Sequence, residues 1–289
     1  MKRRALLLWM VSALIALSSA AAGAVSVQIA SNGTFALAGA TSHIRARMVA
    51  TALASSLAWD LEFTLAHTGA PIAITRYDTA MTQPMHLIAI NDAFTTFQHF
   101  HPRLDRAGTF HLRMQFPKSG YYHLYADTTP HGNSRQVFRF DFVAGALTSR
   151  PPARKLGPPA HGKTSVRAGP YRVVFDVPKL TAGAPAMLGV HISKAGAPAR
   201  DLRPYLGAAA HIVMIDAHDL SYIHVHPMLA GGAAMSGAMS GMKLPAPSKA
   251  GPALLVHVTP KTRGTYKLWL QFANAAGAVY VAPLVLAVT

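Results

Sequence analysis

The sequence predicts an all-β protein made of two tandem β-sandwich domains that follow a signal peptide. Three observations support this prediction: a hydrophobic share of 51% against a charged share of 13% over 289 residues, short β-branched or aromatic runs between turn residues, and an internal repeat. This composition excludes a disordered polyelectrolyte. The absence of cysteine excludes disulfides, thiolate nucleophiles, iron–sulfur clusters and Cys-ligated copper sites.

The N-terminus predicts export. Basic residues at positions 2–4 precede an apolar run at 6–17 and a small-x-small motif at Ala22-Gly-Ala24. We expect a signal peptide over residues 1–24, cleaved before Val25, and therefore a periplasmic or secreted protein. An uncleaved anchor is the alternative, but the apolar run is short for a membrane span. No later apolar run reaches the roughly 18–20 residues of a spanning helix, so no span is expected after cleavage.

The chain is strongly basic, with 27 Lys and Arg residues against 11 Asp and Glu residues and a net charge of +16. Cleavage of the signal peptide removes three positive charges and leaves +13. In an exported protein this charge does not indicate a nucleic-acid partner. It favours an acidic cell-surface component or another envelope protein, or it reflects only a basic proteome or an acidic habitat.

The domain organisation follows from a comparison of the chain with itself. Residues 86–102 align without a gap to residues 211–227, and each copy contains three histidines that are 13 and then 2 residues apart. This pattern indicates a tandem duplication. We predict a first unit over residues 25–144 and a second unit over residues 165–289. The proline-rich, basic segment 145–164 is predicted to be an extended, exposed linker.

Short runs with strand character recur in both units and favour a sandwich. The predicted strands are Phe110–Phe116, Tyr122–Asp127 and Val137–Val143, followed by Leu254–Val258, Tyr266–Phe272 and Val279–Val288. The only candidate helix after the signal is 44–57. A Gly-x-Tyr motif precedes a late strand in each unit, at 120–122 and 264–266, and it resembles the tyrosine corner of immunoglobulin-like sandwiches.

The repeated histidines are predicted to converge at one end of a hairpin in each unit. A turn at Asn91–Phe94 would pair the strand His86–Ile90 with the strand Thr96–His101, so that His86 lies opposite or diagonal to His99 and His101. Apolar side chains continue this face and place each cluster at the rim of an apolar surface. They are Ile88, Ile90 and Phe97 in the first unit and Val213, Ile215 and Tyr222 in the second.

Neutral imidazoles suit copper or zinc and do not suit calcium or magnesium. The sequence therefore predicts one metal site per unit, with ligands His86, His99 and His101 in the first and His211, His224 and His226 in the second. A glycine- and serine-containing loop at 228–243 adds the thioethers of Met235, Met239 and Met242, which favour Cu(I) over zinc. Copper is the predicted metal and zinc is the alternative. In the alternative interpretation, the histidines hydrogen-bond loop backbone and the methionines form an apolar plug.

His123 and Asp127 are further candidates for the first site. Their counterparts in the second unit, Lys267 and Gln271, cannot repeat the role, so both residues stay outside the predicted ligand set. The chain has a single glutamate and carries no hydrolase, metalloprotease or phosphate-loop motif, so we do not expect an enzyme. The predicted function is copper binding, storage or delivery in the cell envelope. A metal-free periplasmic interaction or scaffold protein with structural histidines is the alternative.

A family resemblance appears at these residues. The segments 85–90 and 98–102, with 204–207, 211–215 and 224–227 in the second unit, are similar to exported bacterial modules of the YtkA-like group, which have immunoglobulin-like or cupredoxin-like folds. The resemblance covers roughly residues 60–143 and 170–288, and it implies a cell-envelope protein that handles copper or other heavy metals. The chain differs from true cupredoxins because it lacks their Cys ligand, and it therefore cannot form their electron-transfer site.

Overall fold

The computed structural model describes residues 26–31, 33–36, 43–80, 82–146, 154, 156–230 and 248–289. The predicted signal peptide and the three methionines Met235, Met239 and Met242 lie outside these residues. Every regular element in the described part is a β-strand, which confirms the predicted all-β fold class. No helix within the described ranges is long and apolar enough to cross a membrane.

The first unit folds as two antiparallel sheets. Its strands are β1 (Ser26–Ala30), β2 (Gly33–Ala36), β3 (Ile44–Ala52), β4 (Ala58–His67), β5 (Tyr77–Asp78), β6 (Met85–Asn91), β7 (Phe97–Phe100), β8 (Arg103–Leu104), β9 (Thr109–Gln115), β10 (Gly120–Pro130) and β11 (Gln136–Ala144). One sheet has the strand order β1-β3-β4-β9-β8. The other has the order β2-β11-β10-β6-β7, with β5 paired to one end of β10.

The second unit repeats this arrangement. Its strands are β12 (Gly162–Ala168), β13 (Tyr171–Val177), β14 (Ala186–Lys194), β15 (Ala197–Pro198), β16 (Leu202–Arg203), β17 (His211–Asp216), β18 (Tyr222–Val225), β19 (Met228–Leu229), β20 (Ala253–Val258), β21 (Gly264–Asn274) and β22 (Val279–Val288). One sheet has the order β12-β13-β14-β20-β19 with β15 on β14. In the other, β16, β17 and β22 all pair with β21, and β18 pairs with β17.

The two units share one strand topology. The order β3-β4-β9-β8 corresponds to β13-β14-β20-β19, and we call these the outer sheets; β11-β10-β6-β7 corresponds to β22-β21-β17-β18, and we call these the inner sheets. The tyrosine corner is present in both units. The Tyr122 hydroxyl donates to the Lys118 carbonyl at 2.8 Å, and the Tyr266 hydroxyl donates to the Thr262 carbonyl at 3.1 Å.

The candidate helix at 44–57 is wrong. This stretch forms β3, in which Ile44, Ala46 and Met48 are buried while Arg45 and Arg47 are exposed. Burial therefore alternates with a period of two, which is the period of a half-buried strand.

The predicted exposed linker is also partly wrong. Arg154 donates from Nη2 to the Asp92 carboxylate at 2.6 Å and from Nη1 to the Ala217 carbonyl, so it contacts both units. Leu156 packs against apolar residues between the units, and the last residues of the predicted linker already belong to β12. The C-terminal part of the predicted linker therefore packs against the folded units.

The hydrophobic core has three parts, because the inner sheets bury both of their faces. In β6, Met85 and Leu87 face the core of the first unit, whereas Ile88 and Ile90 point the other way. That second face packs against the inner sheet of the second unit. The buried residues between the units are Ile88, Ile90, Phe94, Tyr125 and Val137 from the first and Val213, Ile215, Leu220, Tyr222 and Trp269 from the second. The molecule is therefore four layers of sheet, with the two inner sheets in contact.

Candidate metal centre

The two predicted histidine clusters form a single centre. Strand pairing within each unit follows the predicted hairpins, with Ile88 opposite His99 and Val213 opposite His224. Because the inner sheets pack together, the clusters also meet across the units, and the ring centroids of His99 and His211 are only 4.7 Å apart. The sequence predicts two separate sites, whereas the structure brings the two clusters together.

Four of the histidines could hold a metal ion. Each of His86, His99, His211 and His224 offers a ring nitrogen, these four atoms lie within 4.8 Å of one another, and all four residues are buried. The six distances between their ring centroids range from 4.7 to 6.0 Å. Four imidazoles bound tetrahedrally at about 2.0–2.1 Å would place their centroids about 5 Å apart, which is the observed spacing.

The nitrogen atoms within each unit are also at ligand spacing. His86 Nδ1 lies 3.1 Å from His99 Nε2, and His211 Nδ1 lies 3.4 Å from His224 Nε2. Two nitrogens bound to one tetrahedral metal lie roughly 3.3 Å apart. The ring orientations therefore need little adjustment to bind an ion.

Backbone carbonyls fix the tautomer of one histidine in each unit. His86 Nε2 donates to the Ala80 carbonyl at 3.0 Å, and His211 Nε2 donates to the Tyr205 carbonyl at 2.8 Å. A carbonyl can only accept, so each Nε2 carries the hydrogen. The Nδ1 lone pair of each neutral ring therefore points into the centre, as in metal-ligating histidines that donate their other N–H to an outer acceptor.

The other two histidines are oriented by side chains of the opposite unit. His99 Nδ1 donates to Gln271 Oε1 at 3.1 Å, and His224 Nδ1 donates to Asp127 Oδ2 at 3.1 Å. Asp127 and Gln271 occupy equivalent positions, because Asp127 pairs with His86 in the first inner sheet and Gln271 pairs with His211 in the second. Both Nε2 atoms are thereby left to bind a metal.

Asp127 was excluded from the ligand set for lack of a like counterpart, yet it and Gln271 have the same role as outer acceptors. The sequence signal was their shared position in the Gly-x-Tyr alignment, seven residues after Gly120 and Gly264 respectively. His123 is not part of the centre: its ring contacts Asp141 at 2.7 Å and Asp92 at 3.1 Å.

The carboxylate of Asp127 is buried but balanced in charge. It accepts hydrogen bonds from Arg135 Nε at 2.7 Å, from Arg135 Nη2, and from the Tyr222 hydroxyl at 3.3 Å. Burial alone would raise the pKa of Asp127, but the Arg135 guanidinium outweighs it and the pKa lies below its ordinary value. The carboxylate is therefore ionised beside a permanent cation.

Burial keeps the imidazoles neutral. It lowers the pKa of His211 to about 4 and that of His101 to about 3, and it lowers the pKa values of His99 and His224 well below the ordinary value, with neighbouring histidines adding to the effect. Neutral imidazole is the form that binds metals, so near neutral pH protons compete little for the site.

His101 and His226 flank the four central histidines and are less buried. His101 Nε2 lies 3.0 Å from His86 Nδ1. His226 Nε2 is a buried atom that has no hydrogen-bond partner among the residues that the structure describes. The structure thus gathers all six predicted histidines, while the three predicted methionine ligands belong to the part that it does not describe. The nearby Met228 is exposed, at the start of β19.

Comparisons with known proteins agree with the duplication. The family model described as "Domain of unknown function (DUF8832)" matches residues 40–145 and again residues 164–289. A comparison with curated proteins gave no match. Among solved structures, the crystal structure of red sea bream transglutaminase is similar at 11% identity over 86% of this chain, with a TM-score of 0.22. The match spans 32% of that chain, and so low a TM-score supports no conclusion about fold or activity.

Proposed function

The chain belongs to this family, described as Domain of unknown function (DUF8832), and we propose that it binds copper in the histidine centre between its two sandwiches, for storage or delivery in the cell envelope. The coarser statement, that a buried group of four histidines could hold a metal, follows from the geometry. The identity of the metal, the compartment and the physiological role are the proposal.

The observation that carries the proposal is the direction of the lone pairs. Each of the four central rings donates its outer N–H to an acceptor, so four unprotonated nitrogens face one another in a buried space. Without a cation the facing lone pairs within each unit repel at 3.1–3.4 Å. His101 Nε2 can donate to His86 Nδ1 at 3.0 Å, but the other three nitrogens have no donor among the described residues. A purely structural role would instead orient N–H groups and acceptors toward each other. A bound metal ion satisfies all four nitrogens at once.

Charge favours copper in its monovalent form. The four ligands are neutral, and Asp127 is balanced by Arg135, so the whole charge of a bound ion remains in the buried centre. The cost of transferring an ion into a medium of low polarity grows with the square of its charge, so a divalent ion costs about four times as much as a monovalent one. The thioethers of the loop at 228–243 favour Cu(I) as well. Zinc is the competing metal, because imidazole ligands suit both.

Binding rather than catalysis fits the ligand count. Sites with four protein ligands are closed, whereas catalytic sites keep a position for water or substrate. The exposed fractions of His86, His99, His211 and His224 are at most 6%, so a substrate would have to cross the packed inner sheets to reach the ion.

Export is proposed from the sequence. The signal-like residues 1–24 and the resemblance to YtkA-like exported modules both support a location in the periplasm or outside the cell. Fractionation of cells that express the full gene, followed by N-terminal sequencing of the mature chain, tests this. A mature N-terminus near Val25 is expected, and retention of Met1 in the cytoplasm would contradict export.

The metal proposal is tested by titrating the metal-free mature protein with Cu(I), against a chromophoric chelator in the absence of oxygen, and in parallel with Zn(II). We expect tight Cu(I) binding that raises the melting temperature, because the ion binds only the folded state. The His99→Ala/His224→Ala variant should lose this Cu(I) binding. A His99→Gln/His224→Gln variant serves as a second test in case the alanines impair folding. The matched control is His191→Ala/His257→Ala, which removes two exposed histidines from the outer sheet.

Three outcomes decide between the hypotheses. Loss of Cu(I) binding in the central variants but not in the control supports the proposal. Equal metal content in wild type and in the folded central variants would favour a metal-free scaffold with structural histidines. Tighter Zn(II) than Cu(I) binding would replace copper by zinc. Met235/Met239/Met242→Leu should weaken Cu(I) binding and leave Zn(II) binding unchanged; no effect on either would show that the loop is not a ligand.

A further inference from the structure

The six histidines are too many for one tetrahedral ion, and two of them, His101 and His226, lie beside the central four. His101 contacts His86 and His99, with ring centroids 4.5 and 5.4 Å apart. His226 contacts His211 and His224, at 4.9 and 4.7 Å. Each additional histidine thus adjoins the two central histidines of its own unit, and His226 also approaches His86 of the first unit at the longer distance of 5.8 Å.

The arrangement therefore contains three overlapping sets of ligands. The central set has four histidines, and each flanking set has three, all from one unit. The centroid distances within the flanking set His86, His99 and His101 are 4.5–5.4 Å, and those within His211, His224 and His226 are 4.7–5.6 Å. Both ranges include the roughly 5 Å expected for imidazoles that share one ion. Each flanking set keeps two members of the central set.

A second observation points to a ligand at the flanking positions. The His226 Nε2 atom is buried and has no partner within the described ranges of the chain. A buried polar nitrogen without a partner is costly, and an ion bound by the central four leaves it unsatisfied. An ion held by the second flanking set would satisfy it.

We propose that the centre takes up a second metal ion by rearrangement. The first ion binds the central four histidines. When a second ion binds, the histidines divide between the two ions, and each ion is then held by the three histidines of one unit. The proposal rests on the proposed metal-binding function and adds the number of ions that the centre can hold. It makes His101 and His226 ligands of the doubly loaded state only. A protein of this kind would hold one ion tightly and a second that is released more easily.

Electrostatics sets the order of binding. Two monovalent ions about 4 Å apart, a separation known from two-metal sites, repel each other in a partly buried environment strongly enough to weaken the second by roughly 10³-fold. Six neutral ligands and a balanced Asp127–Arg135 pair add no negative charge to offset this repulsion. We therefore expect two separate binding steps.

The experiment is a Cu(I) titration of the full mature protein to two equivalents, followed by X-ray absorption at one and at two equivalents. The average number of nitrogen ligands per copper should fall from about four to about three. The variants His101→Ala and His226→Ala should each bind only the first equivalent, with an affinity within about threefold of wild type. His191→Ala/His257→Ala is the control for binding by exposed histidines.

The outcomes separate this inference from the proposed function. Two steps in wild type and one in both variants support it. Saturation of the wild type at one equivalent overturns it but leaves the metal-binding function intact. A variant that stays folded yet loses the first equivalent, or keeps the second, also overturns it, as does loss of the second equivalent in Met235/Met239/Met242→Leu alone. No binding by wild type would overturn the proposed function itself.

Discussion

Replacement of Asp127 by asparagine should affect folding and metal binding separately. The carboxylate is 2% exposed and accepts hydrogen bonds from Arg135, His224 and Tyr222. Asparagine keeps the size but removes the charge, and it turns an NH₂ group toward at least one donor. Breaking a buried ion pair costs about 3–5 kcal/mol of stability. Because the Arg135 side chain is 33% exposed, we expect the substitution to lower the free energy of unfolding of the metal-free protein by about 2–4 kcal/mol.

The same substitution should also lower the Cu(I) affinity of the proposed centre. Asp127 fixes the Nδ1–H tautomer of His224, and loss of such an outer acceptor typically lowers metal affinity 10–100-fold. Denaturant unfolding of the metal-free protein measures the first effect, and competition with a Cu(I) chelator measures the second. Asp60→Asn is the matched control, because it breaks an exposed Asp–Arg pair on the outer sheet, where the cost is about 0–1 kcal/mol. If the two variants match in both assays, the assigned role of Asp127 is wrong.

Three further predictions follow from the interface, the tyrosine corners and the buried imidazoles. Ile215→Ala, at a fully buried position between the units, should lower the free energy of unfolding by about 2–5 kcal/mol; a cost below 1 kcal/mol in denaturant unfolding would contradict the packing of the inner sheets. Tyr122→Phe and Tyr266→Phe should each cost about 1 kcal/mol, and unequal costs would show that the corners are not equivalent. The folded-state pKa of His211, about 4, lies below the unfolded value of about 6.5. The stability that the protein derives from neutral His211 is therefore complete above pH 6.5 and is lost as the pH falls toward 4, because the unfolded chain binds the proton first. Unfolding of the metal-free protein between pH 7.5 and 4.5 measures this loss, and a flat profile would refute it.

Sequence reasoning was sufficient for the local construction of the site. A turn at Asn91–Phe94 and the period-two geometry of strands were enough to predict that His86 and His99 share one hairpin face, and the repeat extended the prediction to His211 and His224. These inferences depend only on residues within about 15 positions of each other. Local geometry of this kind is fixed by backbone hydrogen bonding.

The meeting of the two clusters could not be derived in the same way, because spacing along a strand does not show what covers its second face. A signal was nevertheless present: β6 is apolar at Leu87 and Ala89 on one face and at Ile88 and Ile90 on the other. A strand that is apolar on both faces is expected to be covered on both. The prediction placed the histidines at the rim of an apolar surface that includes Ile88 and Ile90, but the second inner sheet that buries this surface was not predicted.

The outer acceptors explain why the centre needs both units. His99 of the first unit is oriented by Gln271 of the second, and His224 of the second is oriented by Asp127 of the first. Neither unit can therefore complete the orientation of its own ligands, although each carries its own three histidines. The exchange also introduces a difference between the two halves, because one acceptor is a carboxylate and the other is a neutral amide. A carboxylate makes the imidazole that donates to it a more basic ligand, so we expect His224 to be a stronger ligand than His99. Duplication of one unit has therefore given a centre whose two halves are alike in geometry but differ in their outer acceptors.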